Sequence, residues 1–544
     1  MKNGAKGIPA TPASIRNGSA TRAEALAPAM SGKPTSGTIR AAATSGWVSR
    51  ARPSDTAPTL SAASGRPPQP GASSVPPFAG ERPPAAAHER GTNPGVTMQA
   101  VEDLLNTLSG WVWGVPLLVA LCGTHVFLTV RLGFMQRHIF HAIRLSLSRK
   151  TEGPGDVGPF AALMTALAAT IGTGNIVGVA SAVAAGGPGA VLWMWLTGVF
   201  GIATKYGEAV LAVKYRVTTA RGEMAGGPMY ALERGLGLKW LGVVFAVFTA
   251  LAAFGIGNMV QANSISSMVK DNWQIEPWIT GVVLTVAAGF VILGGIKSIA
   301  STCEKLVPFM AIFYVVGCLV LLGLGWETLG STVKLIFSSA FTGQAAIGGF
   351  VGAGMKEAIR YGVARGLFSN ESGLGSAPIV AAAAQTRNPV HQALVSSTGT
   401  FWDTVVVCAM TGLVVVNSGE WVKGLSGTSL THAAFQGFPT VGPIILSVGL
   451  LTFVFSTILG WEYYGEKAAE YLFGPRVIKP YRIAWVVAVM VGSVATVPAV
   501  WAFADIMNGL MAVPNLVSLL LLSGVIARET KLHLRDEIGR RPKS

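Results

Sequence analysis

Charge is what this chain has least of. Asp, Glu, Lys and Arg make up 12% of its 544 residues, against 51% hydrophobic residues and a mean hydropathy of +0.51. Soluble domains carry about twice that share of charge, so the composition fits a multi-span membrane protein instead. Cysteine is nearly missing. Cys122, Cys303, Cys318 and Cys408 stand alone in or beside apolar segments; they show no metal spacing and read as small apolar fillers. Of the seven histidines only His138 and His141 lie close together, on a basic loop, and no metal-ligand spacing occurs. A membrane enzyme needs a nucleophile with a base, or a metal cluster, and neither is in the sequence, so the chain is read as no enzyme. Acidic residues are also in deficit, giving a net charge of +15. That balance suggests nucleic acid, but the distribution argues against it. Residues 1–97 hold +7 of the charge, and the rest is scattered over loops between apolar runs, where basic residues set membrane orientation.

Residues 1–97 are rich in Ala, Pro, Gly, Ser, Thr and Arg and poor in large apolar groups. Such a segment cannot bury enough surface to offset its ordering entropy, and disorder is expected. It has no apolar core that would make it a signal peptide. Met98 offers an alternative start directly ahead of the first span, which would make the tail a start-site artefact. The transmembrane domain is expected over 98–530 and a cytoplasmic carboxyl tail over 531–544.

About eleven apolar segments follow: 111–131, 160–184, 190–214, 240–262, 277–297, 306–325, 347–383, 394–417, 441–464, 483–501 and 504–527. The fold class is therefore all-α and polytopic. Basic residues crowd the loops after the first, third and ninth segments, as in Arg131, Arg137, Arg144, Arg216, Arg221, Lys467 and Arg476. The 263–276, 326–346 and 418–440 connections hold only Lys270, Lys334 and Lys423. The positive-inside rule then predicts a multi-pass protein of the cell (plasma or inner) membrane with its C-terminus cytoplasmic and its N-terminus outside.

Two of these segments carry residues that do not belong inside a helix. Gly172-Thr-Gly-Asn-Ile-Val-Gly178 sits within the apolar run 160–185, and Gly366-Leu-Phe-Ser-Asn-Glu-Ser-Gly-Leu-Gly375 follows some two hundred residues later. Irregular backbone at membrane depth is tolerated only inside protein or beside a cavity. Thr170 to Gly178 is expected to be a break, with the N–H groups of Thr173, Gly174 and Asn175 aimed at an anion and Gly172 admitting it to the backbone. The carbonyls of Ala168 to Ile171, and of Gly366 to Phe368, would suit an ammonium or a cation. The bland reading of the glycines is close helix packing. Paired broken helices are the sequence signature of a secondary transporter. The segment order, one helix plus two sets of five that each open on a broken helix, is the inverted-repeat plan.

Gly172–Gly178, Gly226-Gly-Pro-Met-Tyr230, Gly294-Gly-Ile-Lys297, Gly366–Pro378 and Asp403-Thr-Val-Val-Val-Cys408 read together resemble the alanine/sodium symporter family over about residues 100–530. The resemblance implies the five-plus-five fold of the leucine transporter and uptake of alanine or glycine by symport with Na⁺, the coupling ion, by alternating access. No cofactor is implied. It also implies a Na⁺ site made by the carbonyls of Ala168 and Ile171 with the hydroxyls of Ser456 and Thr457. Those hydroxyls could equally be bonded back to their own helix. The substrate set it implies is Gly172, Thr173, Gly174, Asn175, Gln261, Phe368, Ser369, Asn370 and Trp461. Gln261 hydrogen-bonds the substrate or glues two helices, and Phe368 and Trp461 close the pocket or simply pack.

Charged residues within spans are functional suspects. Asp403 either tunes cation coupling or pairs with a Lys or Arg of a neighbouring helix. Glu208 is expected to pair locally with Lys205. Lys356, Glu357, Arg360 and Arg365 are expected to face a watery vestibule, and Glu371 to orient the second break through backbone N–H groups. Proton coupling through Asp403 or Glu371 is the alternative within transport. A channel, which needs pore-lining rings or filter loops, is the remaining one.

Overall fold

The computed structural model describes residues 94–148, 151–342, 354–425, 427–495 and 498–539. All but the last four residues of the expected disordered tail (1–93), and the opening of the seventh segment (347–353), lie outside those residues. The helices used below are α1 (Gln99–Arg131), α2 (Pro159–Thr170), α3 (Gly174–Gly186), α4 (Ala190–Lys214), α5 (Lys239–Trp273), α6 (Pro277–Ile292) and α7 (Gly295–Leu324). They continue as α8 (Trp326–Thr342), α9 (Met355–Asn370), α10 (Pro378–Ala381), α11 (Pro389–Asn417), α12 (Val441–Phe473), α13 (Pro475–Val494), α14 (Ala499–Leu521) and α15 (Ser523–Gly539). Among the described residues eight helices are long and apolar enough to cross a membrane, and α2 with α3 makes a ninth span, bent by 55° at its break. The apolar α6 is shorter. Helix α15 takes up most of the stretch expected to be a tail.

Why the chain forms this bundle follows from two kinds of surface. The outer faces of α6 and α7 expose apolar groups, as at Phe290 (82%) and Ile312 (65%), which suits lipid as solvent. Inside the bundle, small residues let backbones touch, which is how membrane helices gain packing energy without a hydrophobic drive. A Cβ on Gly460 of α12 would lie 2.7 Å from the Ala169 nitrogen of α2. One on Gly366 of α9 would lie 2.1 Å from Thr197 Oγ1 of α4. Gly366 is thus a packing glycine, and α9 runs unbroken through Gly366, Leu367 and Phe368 to Asn370. The second break starts later than expected, at left-handed Glu371, and passes through Gly373 and Gly375, also at positive φ, before the single turn of α10.

The loops sort by charge to the two ends. At one end the loop after α1, the loop after α4, the foot of α12, the segment after α10 and helix α15 all meet. His141 touches the Glu537 carbonyl, Arg216 donates to the carbonyls of Pro154, Ala382, Ala384 and Thr386, and Lys467 pairs with Glu223. A parallel bridge ties Val157, ahead of α2, to Ala384, after the second break. At the other end the poorly charged connections meet, His432 reaching Asn272.

Candidate functional site

The first break is three residues long. Helix α2 ends at Thr170, Ile171 is extended, and the chain re-enters a helix as a wide π-helical turn over Gly174–Gly178. Such turns interrupt the regular hydrogen-bond ladder and gather at functional sites. Two more face the same region, over Ala253–Met259 and Phe401–Cys408. Asn175 holds the break in shape: its Oδ1 accepts from the Gly172 N–H at 2.9 Å, and its own N–H donates to the Gly172 carbonyl. Asn175 is therefore not one of the open donors expected from the sequence. Thr173 and Gly174 are left without a backbone acceptor among the described residues.

Those two groups open onto a cavity of about 20 Å³, room for about one water molecule. Gly172, Gln261, Phe368, Ser369, Thr457 and Trp461 line it too, so the structure gathers most of the expected substrate residues at one point. Gln261 Nε2 donates to the Ile256 carbonyl at 2.9 Å and reaches Thr173 Oγ1 at 3.5 Å. Its Oε1 has no partner among the described residues, which leaves a buried acceptor beside Gly172. Phe368 lies over Gly174, between this cavity and a larger vestibule of about 270 Å³. Arg365 stacks on the Phe368 ring and Trp113 leans on it at 6.4 Å. Arg365 does line the vestibule, as expected for that helix face, together with Asp271 and Asp505. Trp461 is buried against Gly257, where a Cβ would stand 2.2 Å from the indole's own Cβ.

The four residues expected around a cation also come together. Ser456 Oγ donates to the Ala168 carbonyl at 3.2 Å, and Thr457 Oγ1 to the Ile171 carbonyl at 3.3 Å. Each hydroxyl also donates back to Phe453 of its own helix, at 2.8 and 3.0 Å. The hydroxyls are bonded back to their own helix and also reach the carbonyls of α2. The back-bonds fix the rotamers, and the rotamers aim the oxygens at the frayed end of α2.

Other expectations change. Asn370 does not line the central cavity; its Oδ1 turns back onto the Ser372 N–H, and it faces a separate small cavity beside Lys205. Among the described residues Asp403 forms no ion pair with a Lys or Arg. It accepts from Asn175 Nδ2 at 2.6 Å, Thr404 Oγ1 at 2.6 Å and Ser369 Oγ at 3.1 Å, so it ties the first break to the end of α9. Glu208 and Lys205 make no pair. Glu208 Oε1 accepts from the Gly373 N–H at 3.0 Å and from Asn515 at 2.7 Å. Glu371 accepts from the Ser376 hydroxyl at 2.5 Å, not from backbone N–H groups of its loop. The physical reason is common to all four: a buried polar group takes the partner that tertiary packing brings, and sequence neighbours on one helix need not face each other.

Asn508 of α14 lines the cavity with an unpartnered Oδ1 and was missed. The signal was in the sequence, since Asp505, Asn508 and Asn515 interrupt the last apolar run, and polar residues within spans deserve suspicion.

The profile of the sodium:alanine symporter family matches residues 98–542. The chain belongs to that family. It is a transporter of the membrane and not an enzyme. It is 54% identical to the sodium/alanine symporter AgcS of Methanococcus maripaludis, over 79% of this chain and 96% of that one. It is 35% identical to the probable sodium/glutamine symporter GlnT of Bacillus subtilis, over 81% and 92%. Identity to the putative sodium/proton-dependent alanine carrier protein YrbD of the same organism is also 35%, over 80% and 92%. Among solved structures, MhsT in complex with L-phenylalanine is matched over 71% of this chain and 93% of that one, with a TM-score of 0.49 and 15% identity.

Proposed function

We propose that this symporter carries alanine and glycine into the cell with Na⁺, by alternating access around the first break. The observation that carries the reading is the meeting of opposite poles within one turn of chain. Free N–H groups of Thr173 and Gly174 suit the substrate carboxylate. The Gln261 Oε1 suits its ammonium. The carbonyls of Ala168 and Ile171, with Ser456 and Thr457, supply the hard oxygens Na⁺ prefers. Phe368 and Trp461 leave space only for a small side chain, and the cavity widens as Phe368 yields to the substrate.

Orientation follows from the loops. The vestibule opens beside Asp271 and Thr428, on the weakly charged connections, which the positive-inside rule assigns to the outside. The basic end, assigned to the cytoplasm, is closed by Arg216 and the Val157–Ala384 bridge. The state is outward-facing, with the N-terminus outside and the C-terminus in the cytoplasm. Alternating access then consists of parting that seal as Phe368 closes.

The test is uptake of labelled alanine into proteoliposomes under an imposed Na⁺ or H⁺ gradient, with unlabelled glycine as competitor. A Na⁺ gradient alone drives uptake, and glycine competes. Uptake driven by H⁺ with no Na⁺ present would replace this reading by proton coupling through the buried Asp403 or Glu371. Uptake under neither gradient would end it.

A further inference from the structure

The second break has its ionic positions filled by the protein itself, and the filling comes from one helix. Lys205 and Glu208 are one turn apart on α4 and both buried, at 4% and 2% exposure. Glu208 supplies the anion: its carboxylate sits on the Gly373 N–H, where a ligand anion would bind at a bare helix break. Lys205 supplies a cation. Its Nζ has no hydrogen-bond partner among the described residues. It lines a small cavity of about 10 Å³ with Thr170, Asn370 and Ser396. Thr170 is the last residue of α2 and Asn370 the last of α9. Two helix C-termini, each carrying a partial negative charge, therefore border the space that holds the ammonium. The lysine charge also reaches Glu208, Glu371 and Asp403. Each of those carboxylates is already hydrogen-bonded to other donors, so the ammonium balances them through space and without a direct bond.

We infer that Lys205 is a tethered cation standing where a second coupling ion would otherwise bind, and that it holds the sodium demand of this symporter at one ion per substrate. The inference rests on the reading of sodium-coupled alanine uptake above and adds its stoichiometry. A pocket bordered by two helix C-termini and by hydroxyls suits a small cation. Here a covalently attached one occupies it through every cycle. Only the site of Ala168, Ile171, Ser456 and Thr457 is then left to load and unload Na⁺. The Oγ atoms of Thr170 and Ser396 would become ion ligands once the lysine chain is gone.

Paired fluxes of radioactive sodium and labelled alanine into proteoliposomes test this. The wild type moves about one Na⁺ per alanine with a Hill coefficient for Na⁺ of about 1, and Lys205→Ala moves both values towards about 2. Lys205→Arg, which keeps the charge, stays with the wild type. Lys205→Met removes the charge but fills the space, and it loses uptake at every Na⁺ concentration while remaining monodisperse. If Lys205→Ala binds substrate without transporting it, the Na⁺ dependence of that binding in detergent is read instead, and the same rise in Hill coefficient is expected. A wild type that moves two Na⁺ per alanine overturns the inference, even if no variant folds. So does Lys205→Ala with an unchanged flux ratio and Hill coefficient. A wild type with no Na⁺-driven alanine uptake at all would instead refute the function proposed above.

Discussion

The two helix breaks in this protein look alike in sequence and are put to opposite uses. The first, over Ile171–Thr173, has no charged residue of its own and leaves the N–H groups of Thr173 and Gly174 open beside a cavity. The second, from Glu371 to Ala377, has its poles taken. Glu208 and Asn515 hold Gly373, Ser376 holds Glu371, and Asn370 caps Ser372. Both must satisfy backbone groups where no water is at hand. The first keeps unpaired donors beside a cavity, and the second closes on protein side chains. The difference teaches that a broken helix keeps its polar groups available only where the surrounding helices withhold their own.

That contrast can be broken experimentally. The largest effect is expected from Gly172→Ala. The new Cβ would lie 2.6 Å from Thr457 Oγ1, wedging the break from the hydroxyls proposed to hold Na⁺, and uptake should vanish although the purified protein stays folded by size-exclusion chromatography. Next is Thr457→Ala, which removes one proposed ligand. Taking one neutral oxygen ligand to the ion as comparable to a hydrogen bond to a charged group, about 1.5–3 kcal/mol, the Na⁺ concentration for half-maximal uptake should rise about 10- to 100-fold. An unchanged Na⁺ dependence would move the ion elsewhere.

The second break should answer differently. At Gly373, φ is +91° and a Cβ would stand 2.6 Å from Leu121 Cδ2, so Gly373→Ala should cost about 1–3 kcal/mol of stability from backbone strain alone. Its melting temperature in detergent should drop, while the surviving protein keeps its Na⁺ half-saturation. A shift in Na⁺ affinity there would show that the second break binds the ion after all.

The smallest effect is expected far from both breaks, at the basic end. Glu537 of α15 is buried, which by itself would raise its pKa. Hydrogen bonds from His391 and Asn388, with the charges of His391 and Arg387, outweigh that and pull the carboxyl down to about 2. A carboxyl depressed on folding contributes stability that is full above its ordinary value of 4.5 and is lost as pH falls through about 2. Thermal melts between those limits should show a decline that Glu537→Gln flattens, with no change in Na⁺ dependence at neutral pH.

How far the sequence could be read differs between fold and site. The spans, the basic and weakly charged ends and the first break were legible, because hydropathy, loop charge and misplaced glycines are local signals. So was the meeting of Ala168, Ile171, Ser456 and Thr457, through the family resemblance. The start of the second break was misplaced: Gly366 looks like a helix breaker, and only the contact with Thr197 shows it to be a packing glycine. Asn370 and Asn175 were assigned to the substrate, and the structure commits their side chains to Ser372, Gly172 and Asp403. Pairing of Lys205 with Glu208 follows the helical spacing, but their partners lie on other helices, which spacing does not report.

By itself, then, the sequence determined that this chain lives in a membrane, that two of its helices are interrupted, and which end carries its positive charge. These follow from transfer free energy, backbone chemistry and loop composition, each of which acts over a few neighbouring residues. Tertiary structure alone decided which interruption stays open. That outcome depends on whether Glu208, Asn515 and Lys205, far away in the chain or on another helix, reach the bare poles first.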